Sequence, residues 1–343
     1  MDIRKRARLP GYGCVVALFA LLGTANSQIP IDAPDPVGNS DPSAAMGSLQ
    51  RTLDANPANR AARLALIELD IRMARWEEAV QQVQAARERF PDDTQPVYLQ
   101  AVIAFRRGNP QAAISAASEC LDRGDRRSAV YKVLALAEYL LGRVESFETH
   151  LQAALEQNPR DAEAKYFLGR YLYETKRYGE ALAALEAVLE MDPDHHKAHY
   201  FAGLIYGVHN KERAQGEFLA AIRIIEQKEL RYAWPYLDLG RQLVDAGDRA
   251  RGLEWLSRAI RNDPANPKAH YEYARALLQQ SASPQVEKAL LEAIHLDPGY
   301  AGAFYLLAQY YRKAGRSNLA TEALARFSEL KANPVPSAYG LRR

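Results

Sequence analysis

The chain has 343 residues, 44 of them lysine or arginine and 42 aspartate or glutamate, for a net charge of +2. Acids and bases are interspersed, so no basic stripe is available to neutralise a phosphate backbone, and nucleic acid is not expected as a partner. With two cysteines, Cys14 and Cys120, no disulfide framework can carry the fold.

The first 27 residues read as a secretory signal. Arg4, Lys5, Arg6 and Arg8 form a basic head, Cys14 to Leu22 an apolar run, and Ala25-Asn26-Ser27 a small-residue cleavage site. Cleavage is expected after Ser27. The apolar run falls short of the roughly 20 residues that span a bilayer, so membrane contact is expected only if this segment is retained. The segment contributes +3 of the +2 total, which leaves the exported remainder near −1. Cys120 then remains alone and cannot pair internally; its small apolar setting predicts a buried packing role. Residues 28–42, with Pro30, Pro34, Pro36 and Pro42, predict an extended leader. Residues 332–343, with Pro334 and Pro336, predict a flexible tail.

Between them lies a period. Pro57, Pro91, Pro159 and Pro193 are 34 residues or twice 34 apart, and Pro264 and Pro298 are again 34 apart. A repeat of this length marks an array of stacked units. With the proline at position 32, units begin near Arg60, Thr94, Ser128, Ala162, His196, Ala233, Pro267 and Ala301, after a half unit over 43–59. Small residues fill position 8, from Ala101 and Ala135 to Gly169, Gly203 and Gly240. Position 24 carries Leu151, Leu185, Phe218, Leu256 and Leu290, knobs suited to the gap those small residues leave. Gly108, Gly142, Gly247 and Gly315 recur at position 15, where a left-handed residue would end one helix and start a turn. The Asp/Asn-Pro pair ends the second helix. Each unit is therefore expected to be two antiparallel helices that bury their apolar faces only against neighbours. Two units depart from the pattern. The second has Gln100 in an apolar column and Asp125 in the proline slot; the fifth has its second helix extended through Ile222–Tyr232.

These columns resemble the tetratricopeptide repeat family across residues 43–331. The resemblance implies an all-α fold, a right-handed superhelical solenoid whose first helices line a concave groove. It also implies a non-enzymatic scaffold that binds a protein or peptide partner. Positions 2, 5, 9, 12 and 13 of each unit would face the groove. They supply Tyr98, Lys132, Tyr166, Arg170, Tyr173, Tyr200, Arg241, Tyr271, Arg275, Tyr305 and Arg312 as candidate contacts. Tyrosine and arginine dominate binding energy at interfaces, and a shared, exposed tyrosine column is the expectation here. The lysine–asparagine clamp that some members use on a carboxyl terminus is not reproduced, since Lys132 is followed at position 9 by Leu136.

An acidic glycan is the alternative ligand, with tyrosines stacking on sugar faces and arginines meeting uronic acids. A second copy of the chain is a further candidate partner, through Leu319, Ala323, Phe327 and Leu330 of the last helix. His195, His196 and His199 have spacings that a metal site could use, but Lys197-Ala-His-Tyr200 recurs as Lys268-Ala-His-Tyr271, so the fold explains the histidine better. No nucleophile turn and no phosphate loop is present. Neither catalytic residue, cofactor nor metal is expected. In exported bacterial members this architecture serves cell-envelope machinery, so a periplasmic or secreted location is the expectation.

Overall fold

The computed structural model describes residues 42–334. The expected signal at 1–27, the leader before Pro42 and the tail from 335 lie outside the described residues. Within them there are seventeen helices and no strand. α1 (Pro42–Ala55) is the lone second helix of the leading half unit. Eight pairs follow: α2 (Arg60–Arg72) with α3 (Trp76–Arg89), α4 (Thr94–Arg106) with α5 (Pro110–Asp122), α6 (Ser128–Leu140) with α7 (Val144–Gln157), α8 (Ala162–Glu174) with α9 (Tyr178–Met191), α10 (His196–Tyr206) with α11 (Lys211–Gln227), α12 (Trp234–Asp245) with α13 (Arg249–Asn262), α14 (Pro267–Leu278) with α15 (Pro284–Leu296), and α16 (Ala301–Lys313) with α17 (Ser317–Ala332). The fold is an all-α solenoid of helix–turn–helix units. Its residues cluster into two compact units, one up to Ala164 and one from Lys165.

Turn chemistry sets the unit length. Gly108, Gly142, Gly247 and Gly315 hold φ between 72° and 93°, and Ala74 and Lys176 adopt the same left-handed backbone at the same position, at 54° and 64°. The next residue then donates its N–H back across the turn, as in Asn109 N–H to Ala104 O (2.9 Å) and Arg177 N–H to Leu172 O (2.8 Å). This closes the first helix with a Schellman-type bond. At the Asp/Asn-Pro end, an Asx side chain caps the following first helix. Asn59 accepts from Ala62 N–H, Asp161 from Ala164 N–H and Asn266 from Ala269 N–H. Each such cap is worth about 1 kcal/mol.

The core follows the expected columns. Ile67, Ala101, Ala135, Ala274 and Ala308 at position 8 are buried. A Cβ on Gly203 would lie 2.7 Å from the Phe218 ring, and one on Gly240 would lie 2.8 Å from Leu256. The position-24 knob of each unit thus occupies the volume that a larger residue at position 8 would need. Burying one such Leu or Phe contributes about 1.5–3 kcal/mol. Cys120 is buried in the same way, and burial pushes its thiol up to about 12.

The fifth unit differs from the expectation. α11 runs 17 residues but stops at Gln227 instead of reaching Tyr232. Glu229 turns the chain with φ at 51°. Asn262 of the next unit then clasps the connection, accepting from Tyr232 N–H (2.8 Å) and donating to Leu230 O (2.9 Å). The last helix also differs. Ala323 and Leu330 turn inward and are buried, Phe327 is half-buried, and Leu319 is the one member of that stripe left exposed. The stripe faces its own pair, because those positions continue the packing columns of the earlier units.

Candidate protein-binding face

The tyrosine column at position 5 does not stand in solvent. Tyr98, Tyr166 and Tyr200 are buried, as are Lys132 and Arg170. Tyr271 is half-buried, and only Tyr305 is fully exposed, at 45%. The reason lies in the join between units. A position-5 side chain points from one first helix to the start of the next one. The Arg127 guanidinium lies 5.3 Å over the Tyr98 ring. Lys132 Nζ reaches Asp161 at 3.0 Å and Glu163 at 2.9 Å. The Tyr166 and His195 rings are 4.8 Å apart, and those of Tyr271 and Tyr300 5.0 Å. Arg127, Asp161, His195 and Tyr300 are each 29 residues further on, at the first-helix cap of the following unit, and Glu163 lies two residues beyond Asp161.

In the fifth unit the partner of Tyr200 is Tyr232, at 5.6 Å and nearly perpendicular, three residues later than the period requires. The three extra residues are absorbed by the longer α11 and its turn, and the contact survives. Tyr305 has no described unit after it and rests on Phe327 of its own pair, 5.2 Å away. The column joins units to one another. Its exposure was the wrong expectation for Tyr98, Tyr166 and Tyr200.

Electrostatics within the joins fit this role. Burial pulls the Lys132 ammonium down, but Glu163 and Asp161 outweigh it and the net shift is upward. Asp161 is held below the usual carboxylate range; burial opposes this, and the Lys132 charge and the Ala164 N–H overcome it. A buried ion cluster of this kind depends on all its members. His195 accepts the Ala198 N–H on Nδ1 as a helix cap, and burial pushes its imidazole down to about 4. Neighbouring His196 is pushed down to about 3 by burial and then by Lys197.

His199 is different. Its Nδ1 meets Glu217 at 2.7 Å and its Nε2 the Pro193 carbonyl at 3.0 Å. Burial lowers its pKa, but these two acceptors outweigh burial and raise it. His270 reaches the Pro264 carbonyl in the same way, at 2.9 Å. The recurring Lys-Ala-His-Tyr motif is therefore an anchor on the ladder proline. Among the described residues no group of three or more His, Cys, Asp or Glu side chains could hold a metal ion.

What the compact unit from Lys165 leaves accessible is narrower than the sequence implied. Tyr173 is half-buried between Phe201 (5.5 Å) and Tyr178 (5.9 Å). Arg241 is partly exposed and pairs with Asp238 at 2.9 Å. Arg275 bridges Glu272 at 2.6 Å and Asp245 at 3.3 Å, and Arg312 is exposed. Arg170, by contrast, is buried against Glu174 (3.0 Å) and over the Phe201 ring (5.8 Å). Asp238 also accepts the Tyr200 hydroxyl at 2.8 Å. Asp238 and Glu272 are buried acids absent from the expected set. Their signal was present, an acid three residues before the arginine in Asp238-Leu-Gly-Arg241 and Glu272-Tyr-Ala-Arg275. Of the tyrosines expected to stack on an acidic glycan, Tyr98, Tyr166 and Tyr200 are buried, while Tyr173, Tyr271 and Tyr305 keep solvent access.

Family profiles described as tetratricopeptide repeat match residues 37–103 and, in a second set, 98–148, 133–196, 177–231 and 237–301. The chain belongs to the tetratricopeptide repeat family. Among solved structures, this tetratricopeptide protein is similar to the APC/C hetero-tetramer Cut9–Hcn1, with a TM-score of 0.59 and 12% identity over 88% of this chain and 58% of that one. It is also similar to YrrB, described as a TPR protein with an unusual peptide-binding site, with a TM-score of 0.41 and 23% identity over 54% of this chain and 94% of that one. A third likeness is to MamA, with a TM-score of 0.42 and 19% identity over 48% and 96%. At these identities the likeness concerns the fold alone. No curated protein matches the sequence.

Proposed function

We propose that this tetratricopeptide protein is an exported, non-enzymatic scaffold that binds a segment of another protein. The binding face is the first-helix surface of the compact unit from Lys165, at Tyr173, Arg241, Tyr271, Arg275, Tyr305 and Arg312. One observation carries the reading. These six keep solvent access, whereas Tyr98, Lys132, Tyr166, Arg170 and Tyr200 are consumed in joining or bracing the units. The face holds arginines already paired with acids, Arg241 with the buried Asp238 and the half-exposed Arg275 with the buried Glu272 and the exposed Asp245. It therefore suits a partner segment with backbone amides and mixed charge, not a uniformly acidic chain. Half-buried tyrosines add flat contact area at low entropic cost.

Photocrosslinkers placed at Tyr173, Tyr271 and Tyr305, and at Leu219 and Leu291 on second helices, test the face in the native host. Crosslinked partners are expected from the first three sites only. Equal yields from Leu219 and Leu291 would overturn the assignment. Export is tested by the mass of the purified native protein, expected to begin at Gln28. An intact amino terminus would reject cleavage.

A further inference from the structure

Position 11 of the first helices is bulky or charged in every unit but one. Leu172, Leu243 and Leu277 fill it and are buried, and Tyr206 and Tyr311 fill it with rings. Asp70 and Glu138 are buried acids there, paired with Arg75 at 3.4 Å and Arg143 at 3.2 Å. The unit of α4 and α5 has Ala104 instead, and a cleft of about 480 Å³ opens beside it. The cleft lies between α3, which gives Val80, Val83 and Gln84, and α4, which gives Gln100, Ile103 and Ala104. Positions 7, 10 and 11 share one stripe of a helix, and it lies away from the positions that would face the groove. The site is therefore separate from the first-helix face and stands whether or not that face binds anything.

Two other units show what this place accepts. Tyr206 donates its hydroxyl to Glu186 of the preceding second helix at 2.6 Å, and the Arg213 guanidinium lies 4.0 Å over its ring. Tyr311 donates to Glu287 of the preceding second helix at 3.0 Å, with Arg316 5.9 Å over its ring. Glu186 stands at position 25 of its unit, and Gln84 takes that same position beside the cleft. Gln84 Nε2 donates to Glu88 at 2.7 Å, so Gln84 Oε1 is the acceptor it presents. Arg107 lines the cleft, and its ion pair with Glu77 is long, at 3.7 Å. Val83 and Ile103 are buried and form an apolar floor. The cleft thus combines what holds the internal rings: apolar contact, a hydroxyl acceptor on the preceding helix, and an arginine. Its volume is near the lower end of the range for ligand pockets, which suits a single side chain.

We infer that this cleft receives a tyrosine side chain from a partner protein, its ring on Val83 and Ile103 beside Arg107 and its hydroxyl donated to Gln84 Oε1. Where the array closes itself, the chain supplies that ring from position 11; at Ala104 the ring comes from outside. Among the described tyrosines only Tyr305 is exposed, and its ring already rests on Phe327, which favours a different protein over a second copy.

Saturation-transfer NMR titrations of the full chain test this, with end-capped pentapeptides that carry a central tyrosine or phenylalanine between serines and glycines. The tyrosine peptide is expected to bind, and the phenylalanine peptide roughly two- to tenfold more weakly, the ratio one hydrogen bond supplies. Gln84→Leu, at an exposed side chain, removes the acceptor and is expected to bring the two peptides to equal affinity. Ala104→Tyr fills the cleft from within, and loss of peptide binding with an upward shift in Tm is expected. No binding of the tyrosine peptide, binding undiminished in Ala104→Tyr, or a tyrosine preference that survives Gln84→Leu would overturn the inference. A lower Tm in Ala104→Tyr would show that the slot does not fit a phenol ring and would overturn it as well. Self-association of the unaltered chain in sedimentation, abolished by Ala104→Tyr, would give the cleft to a second copy and overturn the assignment to a partner protein.

Discussion

Removal of the Tyr200 hydroxyl separates a joining role for the tyrosine column from a ligand-contact role. Tyr200 is fully buried and donates to Asp238, also fully buried, at 2.8 Å. Tyr200→Phe keeps the ring contacts with Phe218 and Tyr232 and leaves the carboxylate one donor short. A hydrogen bond to a charged group is worth about 1.5–3 kcal/mol. For a unit of this size that lowers Tm by roughly 3–12 °C. Tyr200→Ala also removes the ring, for a cost of about 3–5 kcal/mol. Tyr305→Ala removes a ring that is 45% exposed and rests on Phe327, for about 1 kcal/mol. Repeat arrays unfold in parts, so thermal melts should be read with hydrogen exchange in α10 and α12. The expected order of destabilisation is Tyr200→Ala, then Tyr200→Phe, then Tyr305→Ala. A Tyr200→Phe variant with unchanged melting and exchange but weakened partner binding would refute the joining role.

Further predictions concern charge, pH and backbone. Lys132→Ala strands Asp161 and Glu163 in a buried site and is expected to cost about 3–5 kcal/mol, read as a lower urea midpoint. His199 has a raised folded pKa, so its stabilisation is complete below the ordinary value of about 6.5 and is lost as pH rises through the folded value. His199→Gln should flatten that alkaline slope in urea titrations. His195 is held at about 4, so between about pH 6.5 and 4 the unfolded chain takes up a proton the folded chain refuses, and stability falls with pH. His195→Asn, which keeps a capping oxygen like that of Asn59 and Asn266, should reduce this acid sensitivity without loss of fold. Ala74→Gly and Lys176→Gly relieve left-handed residues and should each raise stability by roughly 1 kcal/mol, seen as a higher Tm. Gly252→Ala should do the reverse, because its Cβ would lie 2.8 Å from the Gly240 carbonyl and 2.5 Å from Val244.

The fold was legible because its determinants are short-range and periodic. Prolines, position-15 glycines and small residues recur at fixed spacing, and each has one geometric use, so Gly203 predicts a neighbour such as Phe218. The binding face was only partly legible. A tyrosine at position 5 reads the same whether its ring meets solvent or the cap of the next unit. The distinction depends on the residue 29 places on, as with His195 for Tyr166, and the period alone does not say that these two approach. The arginines misled for a related reason. Arg170 and Arg241 share a position, but Phe201 and Glu174 cover the first, while Asp238 only tethers the second.

The joins also make a mechanical statement. Tyr98, Lys132, Tyr166, Tyr200 and Tyr271 each grip the unit directly ahead, so tension along either compact unit is borne by contacts in series, and the weakest one yields first. Resistance differs from join to join, from the ionic Lys132–Asp161–Glu163 grip to the ring contact of Tyr271 with Tyr300. A chain pulled from its ends would lengthen in steps of about one 34-residue helix pair, each step carrying the signature of the grip that failed. The Tyr200–Tyr232 join, clasped again by Asn262, would be among the last to let go.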